Sequence, residues 1–410
     1  METYLRIAML SYRCHPEVGG QGVYVSHLAE ALTALGHQVT VFSGPPYPEL
    51  HHSVALQTVP SLDLYRPEDP FRRPARAEFR DGIDVLEYAA MCVGAFPEPL
   101  TFSLRMARMR DALRAGFDVV HDNQTLGYGM LAVDRAAPLV TTIHHPISID
   151  RRLALAGTSG ALKRLGKRRW YGFVAMQRRV AKRLSHLVTV SEATRTDIVR
   201  EFGVRQEAIS VVHNGVDADL FKPIPQIKRE PGRIVTVASS DQASKGLGVL
   251  VEAVAKLRTE RDARLVVIGR GSDSPLLVAA AARFGIEVER LGRVTALRMV
   301  EEMARAQVAV VPSLYEGFSL PAAEAMSCGI PLVATTGGAL PEVVGEAGSL
   351  VAPGDAHALA VAIGEVMNDS RLAEALGKAG RRRVLERFTW KQAAQQMEEV
   401  YRAAGAAVSC

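Results

Sequence analysis

The chain opens with a strand, a glycine-rich loop, a helix and a second strand, and this order is typical of a parallel α/β sheet. The four segments are residues 4–10, the loop containing Gly19, Gly20 and Gly22, residues 23–35 and residues 38–42. Apolar residues recur at helical spacing in the third segment, and Gly36 suits its end. A strand, a helix and a parallel strand are therefore predicted within the first 42 residues.

Further short apolar segments repeat this alternation and fall into two sets. The first set comprises residues 117–121, 138–143 and 186–190, and the second set comprises residues 233–238, 264–268, 308–311 and 331–334. A chain of 410 residues is too long for one hydrophobic core. We therefore predict two doubly wound Rossmann-like domains, which bind ligands at the carboxyl ends of their strands.

Proline-rich stretches indicate where this alternation is interrupted. Residues 221–232 are predicted to be a linker, and residues 44–85 are predicted to be a long insertion or a mobile loop. We place the first domain at residues 1–212 and the second at residues 213–386. The chain ends in an amphipathic helix that starts at about residue 388.

Positive charge is concentrated in one segment. The net charge is +5, and residues 151–183 contain 11 basic residues and no acidic residue. Such a patch fits a nucleic-acid binder in principle. The chain has no RRM, KH or zinc-finger signature, however, and no aromatic residues interleaved for base stacking. We therefore expect no nucleic-acid partner.

The cysteines and the hydropathy pattern indicate a cytoplasmic protein. Cys14, Cys92, Cys328 and Cys410 are scattered and form no CxxC pair, so neither a disulfide framework nor a zinc site is expected. No apolar run reaches the roughly 18 residues of a membrane span. The N-terminus leads directly into a strand and lacks the features of a signal peptide.

The segment from Glu316 to Glu324 carries the strongest chemical signal. It follows the predicted strand 308–311, Pro321 suits the first position of a helix, and Gly329 suits its end. This pattern predicts Glu316 in an exposed loop and Glu324 in the first helical turn. Both carboxylates are expected at the carboxyl edge of the sheet.

These carboxylates suit a ligand with many hydroxyl groups. Carboxylates accept hydrogen bonds from sugar and ribose hydroxyls. The backbone N–H groups of Phe318, Ser319 and Leu320 lie at the predicted helix start, where they have no partner within the helix. The alternative is a helix in which a glutamate only stabilises the helix dipole. The complete pattern favours a binding site.

Three further candidates depend on their context. Lys245 can meet a diphosphate, although a solvated lysine is the default. Gly20 precedes a helix, whose N-terminus suits phosphate, although an ordinary tight turn contains the same residues. His144 ends a predicted strand and can exchange a hydrogen bond or a proton. His144 and His145 have no partner at metal-ligand spacing, so no metal is expected.

Taken together, these residues resemble the retaining glycosyltransferases of family 4, which have the GT-B fold. The motifs occur in the family's order over nearly the whole chain. The two glutamates with Gly-Phe-Ser-Leu-Pro between them match the family signature. The resemblance implies two Rossmann-like domains facing across a cleft, with residues 387–410 crossing back to complete the first, acceptor-side domain. It also implies that the second domain binds the nucleotide sugar.

The resemblance assigns a role to each candidate at the sugar end of the donor. Glu316 and the backbone of residues 318–320 hold the donor sugar, and Glu324 holds the ribose. His144 contacts the sugar near the reaction centre. His144 and Glu316 are therefore the catalytic candidates.

The diphosphate end departs from the family pattern. The resemblance implies that the N–H groups of Gly19 and Gly20 hold the diphosphate and that Lys245 neutralises it as a leaving group. Family members usually carry an arginine five or six residues before this lysine, where this chain has Ser240 and Ser239.

We expect an arginine from elsewhere to substitute, and the candidates are Arg270 and Arg293, which lie next to glycines in predicted tight turns. Two alternatives remain open. The diphosphate is held mainly by backbone groups, or the protein is a pseudoenzyme.

The implied reaction is transfer of a hexose-type sugar, with retention, from a nucleotide diphosphate to a hydroxyl group. The acceptor is open and includes lipid-linked molecules and polysaccharide precursors. GDP-mannose, UDP-glucose and UDP-N-acetylglucosamine are all open as donors. No metal or cofactor is implied, because the protein itself offsets the charge on the diphosphate. The alternatives are a catalytically weak sugar-nucleotide-binding or membrane-docking protein, and a sugar-nucleotide epimerase, which needs no acceptor.

The basic segment has two interpretations. Gly166 and Gly172 are predicted to divide it into two helices, with Trp170 and Tyr171 between them. In one interpretation its apolar stripe packs on the first domain and its charges are solvated. In the other, residues 151–183 dock peripherally on the anionic inner face of a membrane, which attracts basic residues.

Overall fold

A computed structural model describes residues 4–15, 20–66, 68–238 and 243–408. The chain divides into two compact units. Unit 1 consists of residues 1–212 and 393–410, and unit 2 consists of residues 213–392. A parallel sheet with helices forms the basis of each unit, which confirms the predicted pair of doubly wound α/β domains.

Unit 1 is built on a parallel sheet with the strand order β3-β2-β1-β4-β5-β6-β7. Its strands are β1 (Arg6–Ser11), β2 (Gln38–Ser43), β3 (Ala55–Thr58), β4 (Val119–Asn123), β5 (Leu139–Ile143), β6 (Leu187–Thr189) and β7 (Ile209–Val211). Its helices are α1 (Gly20–Ala34), α2 (Gly82–Cys92), α3 (Glu98–Arg108), α4 (Arg110–Gly116), α5 (Met130–Asp134), α6 (Ile147–Ala156), α7 (Ala161–Trp170), α8 (Phe173–Ala181) and α9 (Glu192–Phe202).

Unit 2 is built on a second parallel sheet, with the strand order β10-β9-β8-β11-β12-β13. Its strands are β8 (Arg233–Val237), β9 (Arg264–Ile268), β10 (Val288–Gly292), β11 (Val308–Val311), β12 (Leu332–Thr335) and β13 (Ser349–Val351). Its helices are α10 (Leu247–Leu257), α11 (Pro275–Phe284), α12 (Ala296–Arg305), α13 (Leu320–Ser327), α14 (Leu340–Val344), α15 (Ala356–Asn368) and α16 (Ser370–Arg387). The final helix, α17, spans Trp390–Val408.

The strand orders place a topological switch point in each sheet. In unit 1 the order reverses between β1 and β4, and in unit 2 it reverses between β8 and β11. Strand β11 at the switch point of unit 2 is apolar and buried along its whole length, as is typical of a parallel strand covered on both faces. Loops that leave neighbouring strands in opposite directions open a crevice at such a point, where α/β sheets bind their ligands.

Four strands were not predicted from the sequence, and each lies at an edge of a sheet. They are β3, β7, β10 and β13. Two further features of the structure differ from the sequence-based predictions. The proposed linker 221–232 lies wholly within unit 2, where Phe221 is buried. Gly166 lies inside α7, whereas Gly172 does separate α7 from α8.

The insertion that follows β2 is packed. Leu62, Leu64 and Met91 form a small buried cluster of their own, and β3 and α2 lie within or beside the same stretch. Arg72 Nη1 donates to the carbonyl oxygen of Leu62 at 2.8 Å. The segment is therefore a folded addition to unit 1 and not the mobile loop that its prolines allowed.

The last helix returns the chain to unit 1, as predicted. Its residues from Ala393 onward belong to that unit, and Tyr401 is fully buried there. The Tyr401 hydroxyl lies 2.6 Å from His121 Nδ1, and His121 Nε2 lies 2.7 Å from Thr142 Oγ1. Both ring nitrogens of His121 are thus engaged in buried hydrogen bonds, which gives this histidine a structural role.

Candidate active site

The switch point of unit 2 brings Lys245 and Glu316 together. Lys245 follows β8, and Glu316 follows β11, the neighbouring strand. Lys245 Nζ donates to Glu316 Oε1 at 2.9 Å, and Ser313 Oγ donates to the same oxygen at 2.6 Å. A carboxylate and an ammonium group are therefore held at the carboxyl edge of the sheet.

Glu316 is buried and not exposed as the sequence predicted. Its exposed fraction is 9%, because the loop folds inward and Ser313 and Lys245 both donate to the carboxylate. A carboxylate with two donors is held in one orientation before a ligand arrives. The second oxygen, Oε2, is left to accept from a ligand hydroxyl.

Two glycines allow this close approach. Gly246 has a φ of +67°, and a Cβ atom there would lie 2.0 Å from the carbonyl oxygen of Pro312. Gly338 has a φ of +64°, and its Cβ atom would lie 2.2 Å from the carbonyl oxygen of Glu316. Any other residue at either position would push the Lys245 or Glu316 loop away. Nothing in the sequence pattern singled out these two glycines or Ser313 as parts of the site.

The start of α13 offers further hydrogen-bond donors. Ser319 precedes this helix with a φ of +84°, which is unusual for a residue other than glycine. Its hydroxyl oxygen is buried and has no hydrogen-bond partner among the described residues. The Phe318 side chain is buried against Phe388, with ring centroids 5.5 Å apart. The Phe318 side chain is therefore occupied in packing, and the backbone N–H groups of Phe318, Ser319 and Leu320 stay the predicted donors to a ligand.

Glu324 lies in the second turn of α13, one turn later than predicted, because the helix already begins at Leu320. Burial raises the pKa of its carboxyl group to about 7. Within the described part of the chain its carboxylate has no hydrogen-bond partner. Glu324 is thus a partly buried acceptor whose charge is sensitive to neutral pH.

The two candidate arginines lie in adjacent turns. Arg270 follows β9 and Arg293 follows β10, and both side chains are exposed. The N–H group of Gly269 donates to the carbonyl oxygen of Gly292 at 2.6 Å, which joins the two turns. Both arginines therefore lie at the carboxyl edge of the sheet that also carries Lys245.

In unit 1, His144 is held as a neutral ring. Its Nε2 atom donates to Asn123 Oδ1 at 2.7 Å, and the Asn123 amide is oriented by its own donation to Ser11 Oγ at 3.3 Å. Burial, together with the charges of His145 and His121, lowers the pKa of His144 to about 3. Because Nε2 carries the hydrogen, Nδ1 is left with a lone pair. His144 is therefore suited to accept a hydrogen bond and not to act as a cation.

Gly20 is the first residue of α1 and not part of the preceding loop, and Gly22 also lies in that helix. A Cβ atom at Gly22 would lie 2.5 Å from the carbonyl oxygen of Cys14, so the close backbone approach occurs here. Gly19, Ser239 and Ser240 lie outside the described residues. The N–H group of Gly20 lies at the N-terminus of a 15-residue helix, where an anion is favoured.

The described part of the chain offers neither a metal site nor a membrane span. No group of three or more histidine, cysteine, aspartate or glutamate side chains there could hold a metal ion. None of the described helices has the length and apolar character needed to cross a bilayer.

Comparison with known proteins agrees with this arrangement. Residues 18–220 match the family described as Glycosyltransferase Family 4, and residues 231–369 match the family described as Glycosyl transferases group 1. The chain is 47% identical over 412 residues to the MMP alpha-(1->4)-mannosyltransferase of Mycolicibacterium hassiacum, covering 99% of this chain and 100% of that protein. It is 29% identical to a glycogen synthase of Mycobacterium tuberculosis, covering 98% of this chain and 95% of that protein.

The fold also matches solved structures. The sucrose-phosphate synthase of Thermosynechococcus elongatus superposes with a TM-score of 0.73 at 24% sequence identity, covering 98% of this chain and 99% of that one. Both the fold and the sequence relatives lead to one assignment. The chain is a glycosyltransferase and belongs to family 4, with the GT-B fold.

Proposed function

We propose that the protein transfers a mannosyl group, with retention, from a nucleotide-diphosphate mannose to the 4-hydroxyl group of a sugar acceptor, a polysaccharide precursor. The relative that is 47% identical over its full length is named for α-(1→4)-mannosyl transfer. The observation that carries the proposal is the fixed Glu316 carboxylate beside Lys245 at the switch point of unit 2.

Each side chain contributes a distinct interaction to this reaction. Lys245 neutralises the diphosphate as it departs, because an ammonium group beside a leaving anion stabilises the transition state. Glu316 Oε2 and the N–H groups at the start of α13 bind hydroxyls of the mannosyl group, and Glu324 binds the ribose. Arg270 or Arg293 supplies the second cation, and Gly20 supplies an N–H group to the diphosphate.

For His144 we propose the role of a neutral hydrogen-bond acceptor. Its Nδ1 lone pair accepts from a hydroxyl group of the donor sugar, while Asn123 holds the ring in place. We infer retention by same-face attack, in which the acceptor hydroxyl approaches the face from which the diphosphate leaves. The departing phosphate oxygen then takes the proton of that hydroxyl, so no protein base is needed.

The competing functions predict different products. A pseudoenzyme binds the donor without turnover, and an epimerase converts it without an acceptor. The paired Lys245 and Glu316 support an enzyme. A protein that only binds the donor does not require a carboxylate that is fixed beside a cation and has an oxygen available for a hydrogen bond. We would incubate the protein with GDP-mannose, UDP-mannose, UDP-glucose and UDP-N-acetylglucosamine, with and without mannose oligosaccharides. An α-(1→4)-linked mannosyl product identified by NMR supports the proposal, and its absence with every donor refutes it.

We also propose that α7 brings the protein to the anionic inner face of the membrane from the cytoplasm. Leu162 is 86% exposed and Leu165 is 46% exposed, and five of the ten residues of this helix are basic. Each basic residue near such a surface contributes about 1 kcal/mol. By contrast, three apolar residues in and just after the second half of the basic segment are buried in unit 1. They are Met176 and Val180 in α8 and Leu184 after it. This part of the apolar stripe therefore packs on unit 1.

Vesicle co-sedimentation tests this second proposal. The variant changes Arg164, Arg168 and Arg169 to Gln, and the matched control changes the exposed basic residues Arg371, Arg382 and Arg387 of unit 2. We expect binding to anionic vesicles that is lost in the variant, retained in the control and weakened by salt. Equal binding to neutral vesicles would rule out docking that depends on anionic lipid.

A further inference from the structure

Unit 1 carries a cluster of four aromatic side chains. The aromatic platform consists of Tyr65, Phe71, Phe96 and Trp170, and each of these side chains is at least partly exposed. The ring centroids of Phe96 and Trp170 are 5.0 Å apart, and those of Tyr65 and Trp170 are 5.4 Å apart. Exposed apolar groups gathered in this way on a protein surface indicate a binding site.

The platform lies at the carboxyl edge of the unit 1 sheet. Arg13 follows β1, and Phe96 precedes α3, the first of two helices leading into β4. Trp170 ends α7 just before α8, which leads into β6. Helices that lead into parallel strands begin at the carboxyl edge, which is also the edge at which His144 follows β5. The platform therefore lies at the same edge as the proposed sugar-contacting histidine.

Phe71 is held in an unfavourable backbone conformation. Its φ is +64°, and its side chain is 58% exposed. A positive φ is rare for a bulky residue and costs free energy. The loop maintains it because the Phe71 N–H group donates to the carbonyl oxygen of Leu64 at 2.7 Å, and Arg72 Nη2 donates to Glu78 at 2.7 Å. An exposed ring kept in place at such a cost fits a role in binding.

A buried ion pair gives the platform a polar component. The Arg13 guanidinium lies 5.6 Å from the centroid of Tyr65 and 5.7 Å from that of Phe96. Its Nη2 atom donates to Glu98 Oε1 at 2.9 Å, and Glu98 is 6% exposed. Rings combined with fixed charges suit a ligand that has apolar C–H faces and hydroxyl edges. A lipid chain offers no partner for such charges.

We propose that the aromatic platform binds the sugar chain of the carbohydrate acceptor, with Phe71 and Trp170 stacking on the C–H faces of sugar rings and Arg13 donating to their hydroxyls. C–H groups are attracted to the negative face of an aromatic ring. The inference rests on the proposed function for the identity of the acceptor, and it adds the residues that select a chain over a single sugar.

Steady-state kinetics with an α-(1→4)-linked mannose tetrasaccharide tests the platform. Phe71→Ala removes an exposed ring, and Tyr128→Ala removes another ring of unit 1, one that is 40% exposed and lies outside the platform. We expect Phe71→Ala to raise the KM of the tetrasaccharide about tenfold and to leave the donor KM and the slow hydrolysis of donor without acceptor unchanged. Tyr128→Ala should match wild type. An acceptor KM within twofold of wild type in Phe71→Ala would overturn the platform.

Fluorescence separates this proposal from the proposed function. The chain has two tryptophans, and Trp390 is buried in unit 2. We expect the tetrasaccharide to change the emission of wild type but not of Trp170→Phe, which keeps a ring at the platform. Such binding without any transfer would refute the proposed function and support the platform. Loss of anionic-vesicle binding in Phe71→Ala, without loss of tetrasaccharide binding, would assign the platform to lipid and overturn the proposal.

Discussion

In the absence of a donor, the charges of Lys245 and Glu316 neutralise each other. Their side chains are 2.9 Å apart, so neither charge is buried without a partner, which would be costly. A diphosphate that approaches Lys245 offers the ammonium group a second anion. We expect the lysine to shift toward the phosphate while Glu316 Oε2 accepts from a hydroxyl group of the sugar.

The variant Glu316→Gln removes the charge of the carboxylate but keeps a side chain of nearly the same size. Gln keeps the shape, and its amide oxygen can still accept from Ser313 and Lys245, so we expect the melting temperature to fall only slightly. Transfer should fall by a factor of about 10² to 10³, as when one group that stabilises a transition state is removed. The matched control is Glu260→Gln, an exposed carboxylate of unit 2. Transfer by Glu316→Gln at the wild-type rate would contradict the assigned role.

Glu324 makes stability and donor binding depend on pH in opposite directions. Its pKa is raised from the ordinary 4.5 to about 7 by burial, so the folded protein binds this proton more tightly than the unfolded chain does. Its contribution to the free energy of unfolding is therefore complete below pH 4.5 and is lost as the pH rises to about 7. Ribose hydroxyls donate better to the ionised carboxylate, so donor affinity should rise over the same range.

Urea unfolding and donor titration between pH 5 and pH 8 measure both effects. We expect wild type to lose stability relative to Glu324→Gln as the pH rises. The difference between their free energies of unfolding should therefore shrink or change sign. Donor affinity should increase with pH in wild type and be nearly flat in the variant. Parallel pH dependence in the two proteins would show that Glu324 does not titrate in this range.

At the scale of elements, the sequence predicted the central strands and missed the edges. Strands such as Val308–Val311 are continuous apolar runs because helices cover both faces. Every residue of β3 is exposed, and β10 has two exposed residues among its five. Edge strands pair along one side only and need no apolar run, so their sequences resemble loops.

The candidate site was predictable in its residue types but not in its packing. Glu316, Glu324 and Lys245 stand in a recognisable pattern, and the structure brings Lys245 and Glu316 together. The burial of Glu316 was not predictable, because it depends on a Ser313 bond and on two glycine contacts that join distant loops. The neutral state of His144 likewise depends on Asn123, which belongs to another strand.

The glycine that precedes α10 provides a test at this scale. Gly246→Ala adds a methyl group to a left-handed backbone that has no room for it, and we expect a loss of stability of roughly 1–3 kcal/mol together with most of the activity. The control Gly285→Ala has a nearly equal φ, +65°, and open space around the added atom. It should lose about 1 kcal/mol and keep full activity. Thermal unfolding and transfer rates measure both outcomes, and equal behaviour of the two variants would contradict a positioning role for Gly246.

At the scale of the whole molecule, unit 1 is assembled from both ends of the chain. Tyr401 is joined to His121 across 280 positions of sequence, in a fully buried hydrogen bond. Met397 and Ala404 of the same helix are also fully buried. The first 212 residues therefore lack part of their own core, whereas unit 2 is continuous.

Two fragments test this difference. Residues 213–392 should unfold cooperatively in urea, because their core cluster comes entirely from that stretch. Residues 1–212 should show a broad transition that sharpens when a peptide of residues 390–410 is added. As a milder check, Tyr401→Phe in the full chain should cost about 1 kcal/mol, the net value of one hydrogen bond. Cooperative unfolding of residues 1–212 alone would show that the last helix is dispensable.

The continuity of unit 2 also has an evolutionary consequence. Since this unit is a single uninterrupted stretch within unit 1, one gene segment encodes the residues from Lys245 to Glu324 that we assign to the donor. Recombination at two points, near codons 213 and 392, would replace them all while leaving the aromatic platform and all but the first three residues of the final helix in place. A lineage of such proteins can thus acquire a new donor preference in a single event and retain its ancestral acceptor.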